Sequence, residues 1–479
     1  MEHHLTDDLC YDLFAGIPRS SLARVTEASH YRPSKRGATF YLWYIHYSWI
    51  PWEKRPKSKD LLTSVLLALF LKTYQVLMKK KQHFPQASER AITLAQTRNL
   101  KMTKSASDYV RGSTSKFYDW LETASMGKIP EGPPIWICGD CHIGNLGPVA
   151  DIEGKVDFQI RDFDQAVIGN PAHDLTRLAL SLAFAARGSN LPGIMTANML
   201  EVLMEGYAAQ FVIGDETEVP VPAVVRASMK VARRRTWKNL ARERIVDASP
   251  NIPLGKKFWP ILAKELKAIQ SVFVKGNAIN LVNKIHCRHS DDKVDLLDAA
   301  YWVKGCSSLG LLRYAVLLDV DDRETKRQEI CLMDIKEAVA AKAPRYPDSA
   351  MPTVNAERVV KGALNLSPHL GERMMTGRIL GKSVFVRELR PEDLKLEIEE
   401  LSPREAVKVA RYFGAIVGKA HARQMDESVA LAWFRELTSN PSSKGAPNWL
   451  WECTVELAAL HEAAYLEHCR HYVATRVDD

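Results

Sequence analysis

Gly139-Asp140-Cys141-His142-Ile143-Gly144-Asn145, with Asp162-Phe163-Asp164 beginning 17 residues after the asparagine, decides how this chain reads. A short β-type run, Ile135-Trp136-Ile137-Cys138, leads into the first segment. Alternating Val156, Phe158 and Ile160 lead into the second, so two expected strands bracket the loop 139–155 and each ends at an aspartate. A carboxylate in a loop after a strand can accept a hydroxyl proton, and an Asn carbonyl with a second carboxylate can hold Mg²⁺, a hard cation that takes oxygen ligands. Asp140 and His142 are therefore the candidate catalytic residues, and Asn145, Asp162 and Asp164 the candidate metal ligands. Gly, Asp and Asn are also what ordinary turns use. The specific signal is both groups together, followed by Gly169-Asn170-Pro171-Ala172-His173-Asp174-Leu175 at the head of a helix, where Asp174 is expected to brace the loop by accepting hydrogen bonds.

Further along, Gly305-Cys306-Ser307-Ser308-Leu309-Gly310 opens an expected hairpin, 311–320 with 330–335, whose second strand carries Met333-Asp334-Ile335-Lys336. Glycines let backbone N–H groups approach phosphates, and a strand lysine supplies them with a point charge. Gly305, Ser307, Gly310, Lys336 and Arg111 make up the expected nucleotide-binding set. A short helix at 356–364, a strand at 384–389 and an acidic link at 392–400 follow. Ser402-Pro403-Arg404-Glu405 then opens a helix to about residue 423, with Ser as cap, Pro in first position and Glu closing a capping box. His421 and Arg423 end that helix, as caps or as site residues. Upstream, residues 1–130 read mainly as helix, with amphipathic stretches at 61–78 and 108–121, and 220–300 alternates helix and loop.

The spacing Asp-x-x-x-x-Asn followed by Asp-Phe resembles the catalytic and metal loops of kinases, and with Gly-x-Pro-x-x-Asp-Leu it is similar to the aminoglycoside and choline kinase group. The order is reversed, since the catalytic and metal loops precede the glycine loop and lysine. The resemblance therefore implies an α+β, two-lobed, protein-kinase-like fold in circularly permuted order. Its helical large lobe would span 1–300, a small antiparallel β lobe 301–395, and C-terminal helices 396–479 would pack back on the large lobe. Lys336 is then expected within about 15 Å of Asp162, the reach of a phosphate chain and its metal. From about residue 30 to 425 the chain also resembles the uncharacterised bacterial family known as domain of unknown function 2252. That likeness rests on Tyr109-Val110-Arg111-Gly112, the two aspartate segments, Asp174-Leu175-Thr176-Arg177-Leu178, the glycine segment, Ile335-Lys336-Glu337-Ala338, Arg358-Val359-Val360 and Ala420-His421-Ala422-Arg423. Gln165, Arg161 and Lys361 depart from it, the last where an acidic partner for Lys336 is expected. The resemblance implies ATP and Mg²⁺ as cofactors and an unspecified hydroxyl acceptor. Its alternatives are an inactive pseudokinase serving as a nucleotide-binding scaffold, and a nucleotidyl transferase.

Composition narrows the partners. The chain has 479 residues, 46% of them hydrophobic and 25% charged, enough for a large core. A net charge of +8 is mild and carries no recognised nucleic-acid motif, so no nucleic acid is expected as partner. No stretch is long and apolar enough to suggest membrane insertion, and no export signal opens the chain. Eight cysteines without framework spacing point to reduced thiols and a cytoplasmic location. Cys138-Gly139-Asp140-Cys141 and His286-Cys287-Arg288-His289 each lack a second ligand cluster.

Overall fold

A computed structural model describes residues 84–474, apart from 125–126, 190, 192, 213–218, 235–250, 275–277, 286–292, 307, 323–326, 390–399 and 440–447. All of these belong to one compact unit, His83–Asp479. The stretch 61–78, Ser307, the 286–289 cluster and nearly all of the acidic link lie outside the described residues.

The unit is α+β, mostly helical, with antiparallel sheets. Its main sheet has six strands in the order β5-β6-β7-β8-β10-β9: β5 (Phe258–Trp259), β6 (Lys293–Trp302), β7 (Arg313–Asp322), β8 (Arg327–Glu337), β9 (Met374–Ile379) and β10 (Lys382–Glu388). Period-two patterning builds it. Along β7, Tyr314, Val316, Leu318 and Val320 pack with Met333, Ile335 and the helices α7 (Ala263–Val274) and α8 (Ala278–Lys284), while Ala315 and Leu317 pack on the opposite face with Trp302 and Leu332. That second face also carries Asp334 and Lys336, two charged residues that strand register fixes side by side. Lys336 stands opposite Arg313 on one side and Phe385 on the other, and Asp334 opposite Ala315 and Arg387.

The helical part is centred on α4 (Pro171–Gly188), whose Leu175, Leu178 and Leu182 are fully buried against α5 (Gly193–Ala208) and α11 (Pro403–Ala422). Side chains of this size stabilise by about 1.5–3 kcal/mol each when fully buried. The backbones of α5 and α11 touch: a Cβ on Gly414 would lie 2.0 Å from the Leu203 carbonyl oxygen, so the crossing requires glycine. The capping box of α11 forms as expected, Ser402 Oγ accepting from Glu405 N and Glu405 Oε2 from Ser402 N. Among the described residues no helix is long and apolar enough to cross a membrane.

Three local expectations change. The amphipathic stretch 108–121 is two helices, α2 (Ala106–Gly112) and α3 (Thr114–Ala124), because Ser113 leaves the helical region at φ −110° and ψ 44°. The loop 139–155 contains a strand, β2 (Leu146–Ala150), which pairs with β3 (Val156–Ile160) around a tight turn in which Asp151 Oδ1 accepts from Glu153 N and Lys155 N. The strand before the loop, β1 (Ile135–Ile137), forms as expected and pairs with β4 (Val167–Gly169). The main sheet begins upstream of residue 301, since 293–302 is a full strand; the expected hairpin forms as β7 and β8, and the glycine segment that precedes it also joins β6 to β7.

Candidate active site

The Asp140 loop leaves β1 and turns at once. Gly139 has φ +73°, and a Cβ there would stand 2.1 Å from the Gln165 carbonyl oxygen, so only glycine lets this loop lie against the one that follows Asp162. Asp174, fully buried in the first turn of α4, accepts from Cys138 N at 2.6 Å and Gly139 N at 2.8 Å, the bracing expected of it. Asp140 Oδ1 accepts from Arg177 Nε at 2.9 Å, and Oδ2 from Thr114 Oγ1 at 3.0 Å. Arg177 is completely buried, its Nη2 donating to Val110 O. It is thus a counter-ion for Asp140 that also ties α2 and α4 to the loop. Asn145 closes a 3-10 turn (Ile143–Asn145), its Nδ2 donating to Asp140 O at 2.9 Å. His142 caps that turn: Nδ1 accepts from Gly144 N, so the neutral ring carries its proton on Nε2.

The second group of acids meets the sheet. Lys336 Nζ is 3.7 Å from Asp162 Oδ1 and makes a close ion pair with Asp164 Oδ2, although 172 residues separate the latter partners. The lysine is buried, whereas the Asp162 side chain is 44% exposed and so open to a ligand. Asp164 Oδ1 is buried without a hydrogen-bond partner, a bare carboxylate oxygen that suits a cation. Among the described residues no cluster of three or more His, Cys, Asp or Glu is arranged for a metal ion. A cation here would therefore rest on the two carboxylates, the Asn145 amide oxygen and water.

Electrostatics separate the two acids. Burial raises the Asp162 carboxyl, but Lys336, Arg387 and Arg313 outweigh it and hold it low. Burial and the neighbouring Asp162 push Asp164 up against the pull of Lys336. Behind them Asp334, fully buried, accepts from Arg313 Nε at 2.8 Å and Nη2 at 2.5 Å and pairs with Arg387 at 3.3 Å. Burial would raise its carboxyl, and the two arginines force it far below the usual range. The acidic partner of Lys336 is thus the aspartate loop itself. The helix after β8, α9 (Asn355–Leu366), turns the buried Arg358 to the carbonyls of Asp164, Ala166 and Val339, while Lys361 is exposed.

Arg111 ends α2 beside the loop. Its Nε is buried without a partner and would stand 3.4 Å from a Cβ on Gly144, and Nη1 is 3.5 Å from Asp108. A Cβ on the adjoining Gly112 would stand 3.0 Å from Cys306 Sγ, and Lys101 Nζ donates to Gly305 O, so the glycine segment rests on α1 (Arg90–Met102) and α2. Gly305 and Gly310 have φ of +102° and +104°. Cys138 and Cys141 are free, fully buried thiols. The hydrogen bond to Cys141 and burial push Cys138 well up, and its Sγ lies 3.2 Å from Asp162 O, so the pair links the two loops as neutral thiols. Arg423 Nε donates to Lys419 O and closes its helix, whereas His421 points to Asp174. Sequence reasoning missed Thr114, Arg313 and Arg387, and quoted Arg177 and Asp334 without their roles.

Burial lowers His142, His173 and His461 to about 4. The unfolded chain takes up these protons near the usual value of about 6.5. Their neutral burial therefore contributes stability that is complete above about 6.5 and lost as pH falls toward 4, while the raised Asp164 works in the opposite sense. The urea midpoint should fall between pH 7 and 5, with net proton uptake on unfolding at pH 5. A midpoint that is flat or rises on acidification would contradict this assignment.

A family model described as "Uncharacterized protein conserved in bacteria (DUF2252)" matches residues 90–471, well over half of the chain and all of the site. No curated protein and no solved structure matches the chain.

Proposed function

The chain belongs to the DUF2252 family, and from that premise we propose that it is an ATP- and Mg²⁺-dependent phosphotransferase acting on a hydroxyl acceptor, built as a circularly permuted kinase-like fold. The observation that carries the reading is the meeting of Lys336 with Asp162 and Asp164 beside the loop of Asp140 and Asn145. Strand order adds support. A glycine segment joins β6 to β7, the lysine lies on the next strand, a helix follows, and β9 and β10 return with β10 beside β8, which is how kinases arrange lid, lysine and C-helix.

In this reading the acceptor oxygen attacks the γ-phosphorus, the bond to the β,γ-bridging oxygen breaks, ADP leaves, and the acceptor proton passes to Asp140. Both carboxylate oxygens of Asp140 keep a second lone pair beyond the bonds to Arg177 and Thr114. Asp162, Asp164 and Asn145 would hold the metal, which supplies charge neutralisation on the phosphates. Lys336 would clamp those phosphates, the glycine segment would lie over them, and Arg111, beside the Asp140 loop, would contact a phosphate. His142, neutral and committed to capping the turn, shapes the loop rather than moving a proton.

A second reading, a nucleotide-binding module without turnover, draws on α9 turning Arg358 rather than an acid toward the aspartate loop. Incubation with Mg²⁺, cell extract and ATP labelled at the γ or the α position separates the readings. The γ label should move to an acceptor while the α label stays in ADP. Movement of the α label with release of pyrophosphate would mean nucleotidyl transfer, and movement of neither would mean a binding module.

A further inference from the structure

We propose that His421 is a positioning residue for the loop that carries Asp140, held in one tautomer by a buried chain of hydrogen bonds running Trp433–Tyr207–His421–Asp174. The catalytic part of this inference rests on the phosphotransferase reading; the structural part does not.

Four elements contribute one residue each: Trp433 from α12 (Glu427–Thr438), Tyr207 from α5, His421 from α11 and Asp174 from α4. All four are at most 2% exposed, so bulk solvent does not reach the chain. The direction of each bond follows from what its members can donate. An indole N–H only donates, so at 3.1 Å from Trp433 Nε1 the Tyr207 oxygen accepts. Its own hydrogen then goes to His421 Nδ1 at 2.9 Å, and burial keeps that phenol protonated. With Nδ1 accepting, the neutral imidazole carries its proton on Nε2, which lies 3.3 Å from Asp174 Oδ2. That same oxygen accepts from Cys138 N, and its partner Oδ1 from Gly139 N, the two amides immediately before Asp140. The chain thus fixes the carboxylate that fixes the loop. A ring turned to present Nδ1–H would leave the Tyr207 hydroxyl unpaired and set a bare lone pair against a carboxylate, so the arrangement admits one tautomer.

Packing alone makes a different forecast from hydrogen bonding, and two amide substitutions separate them. Glutamine places its terminal N–H₂ close to where Nε2 stands and can still donate to Asp174; asparagine is too short to reach. His421→Asn should speed hydrogen exchange at Cys138 N and Gly139 N by about ten- to hundredfold, the scale of one lost hydrogen bond to a charged group. His421→Gln should stay within about threefold of wild type. Phosphoryl transfer should follow the same order, with kcat lowered in His421→Asn and the KM for ATP unchanged. Equal effects of the two substitutions, on exchange and on kcat, would overturn the proposal in favour of packing.

Tyr207→Phe removes a single oxygen and leaves the fold testable if the histidine variants do not accumulate. In the wild type, ¹⁵N shifts of His421 should report a proton on Nε2 and a bare Nδ1; Tyr207→Phe removes one of the two constraints, leaves Asp174 facing Nε2, and should weaken that preference without reversing it. A wild-type ring protonated on Nδ1 would also overturn the proposal. Exchange and tautomer readouts need no turnover. A wild type that transfers no phosphate yet shows the forecast exchange pattern would remove the phosphotransferase reading and keep the chain, and an active enzyme indifferent to both substitutions would do the reverse.

Discussion

Asp140→Asn should leave Mg²⁺-ATP binding intact and lower phosphoryl transfer by about 10²–10⁴-fold, the usual scale of general-base assistance. The substitution suits its surroundings. The amide oxygen can keep accepting from Arg177 Nε, the new N–H₂ group can donate to Thr114 Oγ1, and the hydroxyl there is free to turn. What disappears is the charge that orients and deprotonates the acceptor hydroxyl. A loss in kcat with unchanged nucleotide affinity places the interaction in the transition state rather than in ground-state binding. Arg177, fully buried, also loses its counter-ion, so the variant should melt lower than wild type even though its nucleotide response persists. An Asp140→Asn protein that transfers phosphate at the wild-type rate would remove the residue from the chemistry.

The parts of the site carried by local chemistry were legible in the chain. Asp140, Asn145, Asp162 and Asp164 announce themselves by type and spacing, and Lys336 by its strand. The kinase resemblance placed Lys336 near Asp162, and the lysine does pair with this loop across 172 residues. The capping box of α11 was equally readable, because its two hydrogen bonds involve residues three apart. What stayed hidden depends on tertiary register. Asp334 meets Arg313 and Arg387 only because β8 pairs with β7 on one side and β10 on the other, and nothing within any one strand encodes that pairing. Strand β6 escaped notice because Asp295, Asp298, Ala299 and Ala300 are poor strand formers; pairing with β7, with a bulge between Leu296 and Asp298, overrides propensity. Strand β2 was hidden by Gly147 and Pro148, which read as loop until the turn at Asp151 pairs the segment with β3. Arg177 lies three residues after Asp174 on one helix, so a signal for a second loop-facing residue was present. His421 had no such signal, since its partners come from two other helices.

Asp162→Asn should abolish metal-dependent nucleotide binding rather than slow a bound complex. Asp162 is the exposed member of the acidic pair and the one whose charge is best maintained, because Lys336, Arg387 and Arg313 hold its carboxyl low. Removing that charge strips the cation of a hard oxygen ligand and frees Lys336 from one of its two partners. The most direct measurement of the central claim is therefore thermal unfolding with ATP and Mg²⁺, with ATP and a chelator, and with neither, for wild type and Asp162→Asn side by side. A ligand that binds only the folded state contributes about 2.7 kcal/mol at a hundredfold excess over its Kd. The wild type should gain that stabilisation only when nucleotide and metal are both present, and Asp162→Asn should gain none. A wild-type transition indifferent to nucleotide and metal would contradict the account and leave the Lys336–Asp162–Asp164 cluster a purely structural one.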